Sequence, residues 1–328
     1  MELEADPTPA FQQRLAPLAR QSGLGTARRW AAMVAALAMA ITLAPYLVGF
    51  SLSHGRRYMW LGYNLDDSCV YLSWMRQAAE GGGRSLNLFT TDAQHGMAPN
   101  PLFWTLGRVA GIGHLPLIVV YHAARIGFGF LLLMIVSELS ARLIADPRAR
   151  KCGFLLVCFS AGLGWLPFWW GASLPGPIDM WQPEAITFLS LYLSPLFCFS
   201  LCLQAGLIYL LLRGVQTRRA RYTVCAGLCG FVLGLAHTYD VITMAAIWGA
   251  FLVIRSARAA YGGTDSANDL PRAWLQAAIA GLIAAPAVAY IAYQLKTEAV
   301  FQARANVATL TPAPAWIVLG YGLVGALA

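Results

Sequence analysis

From Trp30 to Leu52 the chain reads "WAAMVAALAMAITLAPYLVGFSL", without one charged side chain. A helix needs about 20 mostly apolar residues to cross the hydrocarbon core of a bilayer, and this run is long enough. It follows Arg28 and Arg29, is too long for the apolar region of a signal peptide and lacks a small-residue cleavage site. It therefore reads as a retained first span. Comparable runs recur at roughly 115–143, 152–170, 194–213, 222–237, 240–255, 274–294 and from 315 onward. A water-soluble core could not absorb them, since 58% of the residues are hydrophobic and 12% charged. The expectation is an all-α, polytopic membrane helix bundle of about eight spans, with a long outer loop after the first. Residues 1–29, polar and Pro-containing, read as a cytoplasmic N-terminal tail and 30–328 as the transmembrane domain. The last run stops mid-helix at Ala328, which reads as a truncated C-terminus.

Lys and Arg in short loops set orientation, because they are retained on the cytoplasmic side. Of 23 such residues, fifteen fall on the side of the N-terminal tail, seven on the other, and Arg125 lies within a span. The expected location is thus the cytoplasmic (inner) membrane, multi-pass, with the N-terminus inside. The formal charge of +8 is then a topology signal, and its scatter over loops gives no reason to expect a nucleic-acid partner. Eight of the fifteen acids gather on the outer face: Asp66, Asp67, Glu80, Asp92, Asp179, Glu184, Asp240 and Glu298. On the inner side, Glu138 and Arg142 have the i, i+4 spacing of an ion pair. The 152–158, 198–202 and 225–229 cysteine pairs lie in apolar spans and read as packing, with Cys69 alone outside. The chain carries no HExxH, GxGxxG or P-loop motif, so the sequence requires no cofactor. Carboxylates for a divalent metal exist in Asp67, Glu184 and Asp240, without diagnostic spacing.

Three outer stretches carry the chemistry. "NLDDSCVYLSWMRQAAEGGG", residues 64–83, sets an acidic pair ahead of an apolar stripe of Tyr71, Trp74, Met75 and Ala78. That spacing, i, i+3, i+4, i+7, suits a helix lying on the membrane surface, ended by Gly81–Gly83. The aspartates fit two readings, as helix caps or as functional carboxylates. "GASLPGPIDMWQPEAITFLSLYLSP" follows, and Pro183 and Glu184 suit the first turn of a helix. The third stretch, "HTYD" at 237–240, falls between two short spans that form a tight hairpin. His237 and Asp240 at that depth are costly unless they face a polar cavity. His122 and Arg125, three residues apart, either line the same cavity or snorkel and pair within the bundle.

These stretches together resemble the GT-C superfamily of integral membrane glycosyltransferases, in its bacterial branch. The resemblance rests on "LDDSCVYLSWMRQAAEGG", "WQPEAITFLS" with its following "SP", "GLAHTYD", and "AN" at 305–306 with a later proline and "GYG". It covers about residues 30–328. It implies transfer of a sugar from a polyprenyl-phosphate donor to a membrane-embedded or periplasmic acceptor. It also implies Asp66 as general base, Asp67 positioning acceptor or metal, and Glu184, His237, Tyr239, Asp240 and Arg125 in substrate binding. A transporter or lipid flippase, or a non-catalytic membrane assembly subunit, are the alternative classes. A transporter would show repeats and charges at the membrane midplane, whereas here the acids collect at one face.

Overall fold

The computed structural model describes residues 24–168, 176–261, 269–300, 302 and 311–327. The chain is all-α; among the described residues no strand forms, and the one isolated bridge joins Ser85 to Met97. The helices are α1 (Leu24–Ile41), α2 (Ala44–Ser51), α3 (Leu65–Ala79), α4 (Pro101–Gly113), α5 (Leu117–Leu143), α6 (Pro147–Phe159) and α7 (Trp165–Phe168). They continue as α8 (Thr187–Leu193), α9 (Pro195–Thr217), α10 (Ala220–Ala236), α11 (Thr238–Ala260), α12 (Leu270–Thr297) and α13 (Pro314–Leu327).

Their starts are written in the sequence. Asn100, Asp146 and Ser194 each precede a proline and accept a hydrogen bond from a backbone N–H of the first turn, capping α4, α6 and α9. Among the described residues, five helical stretches are long and apolar enough to cross a membrane: Gly25–Ser51, Leu117–Leu143, Pro195–Thr217, Thr238–Ala260 and Leu270–Thr297. The chain is therefore a multi-pass membrane protein by architecture. Large apolar side chains point outward from the spans, with Leu282 76% and Met33 71% exposed, which hydrocarbon would solvate and water would not.

Several sequence expectations change. The described helix α1 extends back to Leu24 and includes Arg28 and Arg29; residues 1–23 lie outside the described region. The expected span at 152–170 is not one helix: α6 ends at Phe159, and only the single turn of α7 follows before the described residues stop at 168. The stretch at 222–237 is helical but, as Ala220–Ala236, shorter than the five. The last helix kinks at Gly322 (φ 47°, ψ −133°). Glu138 does not pair with Arg142. It accepts from Arg28 Nε at 2.6 Å, while Arg142 donates to the Tyr209 hydroxyl. A residue four positions away on its own helix lost to a neighbouring helix that brings an arginine closer.

Packing relies on small residues. On α10, Gly227, Gly230 and Gly234 face Ile283, Ala284 and Ala287 of α12, where an added methyl would lie 2.7–3.0 Å from a side-chain carbon. Backbones approach closely where no Cβ intervenes, a common device between membrane helices. Gly107 and Gly111 bring α4 equally close to α3, where a methyl would overlap the Met75 and Ala79 carbonyls. Tyr71, Met75 and Ala78 are consequently buried, Tyr71 and Met75 in one core with Phe103 and Ala110 of α4. The apolar stripe read as membrane-facing is thus covered by protein.

A strap joins distant parts of the chain. The Leu163 amide donates to the Leu319 carbonyl at 2.8 Å. Asp179 accepts from the Gly164 amide at 3.0 Å, and a methyl on Gly162 would collide with the Gly320 carbonyl. Burial pushes the Asp179 carboxyl above its ordinary value, against the hydrogen bonds from the Gly164, Asp179 and Gly162 amides.

Candidate functional site

The aspartate pair sits in the first turn of α3, where helical N–H groups favour negative charge. Asn64, in the left-handed region at φ 53°, occupies the cap position without a side-chain capping bond. Its Nδ2 donates instead to Asp67 Oδ2 at 2.9 Å. Asp67 is half-buried and held. Asp66 is exposed and, among the described residues, has no hydrogen-bond or ion-pair partner. Neither carboxylate makes a side-chain capping hydrogen bond, so what favours both at this helix end is the N-terminal dipole alone.

The second group forms where α10 breaks into α11. His237 leaves helical geometry (φ −152°, ψ 78°) and is buried, with its side chain 5% exposed. Its Nδ1 lies 2.6 Å from Asp240 Oδ2, and its Nε2 lies 3.7 Å from Glu184 Oε1. Asp240 Oδ2 also accepts from Gln204 Nε2 of α9 at 2.8 Å. Glu184 accepts from Gln182 Nε2 at 2.7 Å. The Tyr239 ring, 64% exposed, stands edge-on to the imidazole at 4.4 Å. Three sequence-remote segments therefore converge on one histidine.

Tyr71 ties the two groups together. It stacks on Phe103 at 4.4 Å inside the core that contains Ala236, the residue before His237. Asn100, the α4 cap, donates from Nδ2 to the Ala236 carbonyl at 2.8 Å. The Tyr71 phenol is pushed well above its ordinary value, first by burial and then by the charge of Asp67, with Tyr239, Tyr121 and Glu184 acting the same way. Tyr71 and Asn100 thus tie the aspartate helix and α4 to the backbone just before His237.

Arg125 forms a separate node. It is fully buried on α5, one turn beyond Tyr121. Its Nη1 donates to Thr42 Oγ1 at 2.9 Å and to the Leu191 carbonyl at 2.6 Å, and its Nε donates to His122 Nδ1 at 3.2 Å. His122 Nε2 must then carry the ring proton, donating to the Trp60 carbonyl at 2.7 Å. The guanidinium also lies 5.1 Å from the centre of the Tyr46 ring, while Nη2 is buried without a hydrogen bond. No carboxylate faces this charge among the described residues. Beside it runs an apolar cavity of about 400 Å³ lined by Leu43, Tyr46, Leu47, Trp60, Ile118 and His122, among others.

Asp67, Glu184 and Asp240 do not converge on a metal position: among the described residues no three His, Cys, Asp or Glu side chains form such a group. "AN" at 305–306 lies outside the described residues. Sequence reasoning missed Gln204, the lone amide in "LFCFSLCLQAGLIYLLL", and missed Asn100 and Thr42 as tethers. A polar side chain inside an apolar run was the available signal for the first.

No family model matches this chain, and no curated protein or solved structure matches it.

Proposed function

We propose that this protein transfers a sugar from a polyprenyl-phosphate donor to a membrane-embedded or periplasmic acceptor, with Asp66 as general base. The observation that carries the reading is the exposed, partnerless Asp66 beside the tethered Asp67, on a helix whose Tyr71 shares a core with Ala236, the residue before His237. In this reading an acceptor hydroxyl gives its proton to the Asp66 carboxylate as its oxygen attacks the sugar C1. The bond from C1 to the phosphate oxygen breaks, and polyprenyl phosphate leaves with that electron pair. Asn64 fixes Asp67, which orients the acceptor. Glu184, Tyr239 and Asp240 line the sugar side. His237, set between two carboxylates, is a poor partner for the departing phosphate, so that role goes to an exposed cation such as Arg56. The apolar cavity next to Arg125 suits the prenyl chain.

The finer topology belongs to the same reading. The bundle end bearing Arg28–Glu138 and Arg218–Asp269 is cytoplasmic, the end bearing α3 and His237 is periplasmic, and α3 lies at that interface. With α6–α7, α10 and α13, the crossings number about eight. A transport reading draws on Arg125 as a charge inside a span, but its contacts tie four segments together instead of facing a path.

The test is Asp66→Asn, nearly isosteric. Transfer of labelled sugar from a polyprenyl-phosphate donor is expected to fall by roughly 10²–10⁴, the range of general-base catalysis, at unchanged thermal stability. A wild-type rate would overturn the assignment.

A further inference from the structure

The search for a second site leads to the last two turns of α12. Tyr290, Tyr293, Gln294 and Thr297 recur at i, i+3, i+4, i+7, a polar and aromatic stripe on a helix that is otherwise apolar. They face the 83–99 segment across a cavity of about 590 Å³, within the size range of small-ligand sites. The opposite wall is braced. Ser85 and Met97 exchange two backbone hydrogen bonds of 3.0 Å, and Gln77 of α3 both donates to the Leu86 carbonyl and accepts from its amide. Arg84 donates to the His95 carbonyl at 3.0 Å.

The polar groups facing this cavity are only partly satisfied. Gln294 Oε1 is buried with no hydrogen-bond donor. The Tyr290 oxygen accepts from the Ala98 amide at 2.6 Å, which leaves its own O–H free to donate. Buried Glu298 holds the His95 amide and ring, at 3.4 and 3.3 Å, with acceptor capacity remaining. Tyr293 is 62% exposed and offers an open ring face. A tyrosine belt at the membrane interface would account for Tyr293, but not for a buried, donor-less amide oxygen three side chains along the same stripe.

We propose that this cavity binds a saccharide. A sugar hydroxyl is at once donor and acceptor, so it can serve Gln294 Oε1 and Glu298 as donor and Tyr290 as acceptor, while the C–H face of its ring stacks on Tyr293. Arg84 and Glu298 cancel in charge, which fits a neutral ligand; a phosphate-bearing lipid headgroup would meet the buried Glu298 carboxylate and be repelled. The inference does not depend on Asp66 acting as a base.

The test uses the full chain in lipid nanodiscs, free of sugar-based detergent. Maltose, lactose and N,N′-diacetylchitobiose are titrated by saturation-transfer NMR, alongside a farnesyl-phosphate-linked mannose. Saturable binding of at least one free disaccharide is expected. Gln294→Leu and Tyr293→Ala should each weaken it roughly tenfold, the cost of losing one well-placed contact, while Asp66→Asn should bind as the parent does. Tyr293→Ala alters an exposed side chain and keeps the test valid if Gln294→Leu misfolds. Binding of a free disaccharide would assign the ligand to a neutral glycan; binding of the prenyl-phosphate-linked sugar alone would overturn the proposal, since that probe carries the phosphate that Glu298 should repel. No binding of any probe, wild-type affinity in Tyr293→Ala, or loss of binding in folded Asp66→Asn would each overturn the proposal.

Discussion

Arg125 and His237 are both polar residues sunk into an apolar bundle, and the bundle treats them oppositely. Arg125 has no carboxylate: a hydroxyl, a backbone carbonyl, an imidazole nitrogen and a tyrosine face receive its charge. Those partners come from the turn after α1, from α2, from α5 and from α8, so the arginine acts as a rivet among four segments. His237 has a carboxylate near each ring nitrogen and an exposed aromatic ring at its edge. The lesson is that burial of a charged residue does not by itself mark function. A node whose partners are all internal holds the fold, and a node that keeps exposed neighbours can serve a ligand.

The comparison can be broken first at Arg125. Arg125→Ala would leave the Leu191 carbonyl and His122 Nδ1 without donors and open a cavity, so thermal unfolding should show a loss of roughly 3–5 kcal/mol. Arg125→Lys should recover little, because one ammonium cannot replace the guanidinium fork toward Thr42, Leu191 and His122 together. Near-parental stability in either variant would show that the rivet carries no load. The next effect belongs to the other node: His237→Leu should cost about 1–3 kcal/mol yet depress sugar transfer out of proportion to the folded fraction. Equal losses in transfer and folded protein would make His237 structural too.

Gln204→Leu should follow, at about 1–2 kcal/mol for one hydrogen bond to a carboxylate, read by the same unfolding assay. The smallest expected quantity sharpens the contrast most. In a cycle combining Thr42→Val with Gln204→Leu, the losses should add to within about 0.5 kcal/mol, as for independent sites. A coupling well above that would mean the two nodes are one network and the distinction false.

The five long spans were legible because length and apolarity are sufficient to define them, and His237 and Asp240 because their i, i+3 spacing at a helix break survives without tertiary information. The cover over α3 was not legible. Hydropathy reports that Tyr71 and Met75 need an apolar partner, but hydrocarbon and protein satisfy that need alike; the discriminating residues, Gly107 and Gly111, lie on another helix. For the same reason Gln204 and the Arg28–Glu138 pair escaped, since each depends on helix-to-helix rotation that no single run encodes.

The strap from Leu163 to Leu319 bears on the order in which the chain is assembled. A ribosome feeding a membrane delivers helices from the N-terminus, and contacts between near neighbours form first. The turn at Leu163 and Gly164, which seats Asp179, waits for residue 319 before its last hydrogen bond can close. Until then Glu184, only a few residues beyond Asp179, hangs from an unfinished segment. The segment that seats Asp179 is consequently completed only once the stretch bearing Leu319 has been delivered.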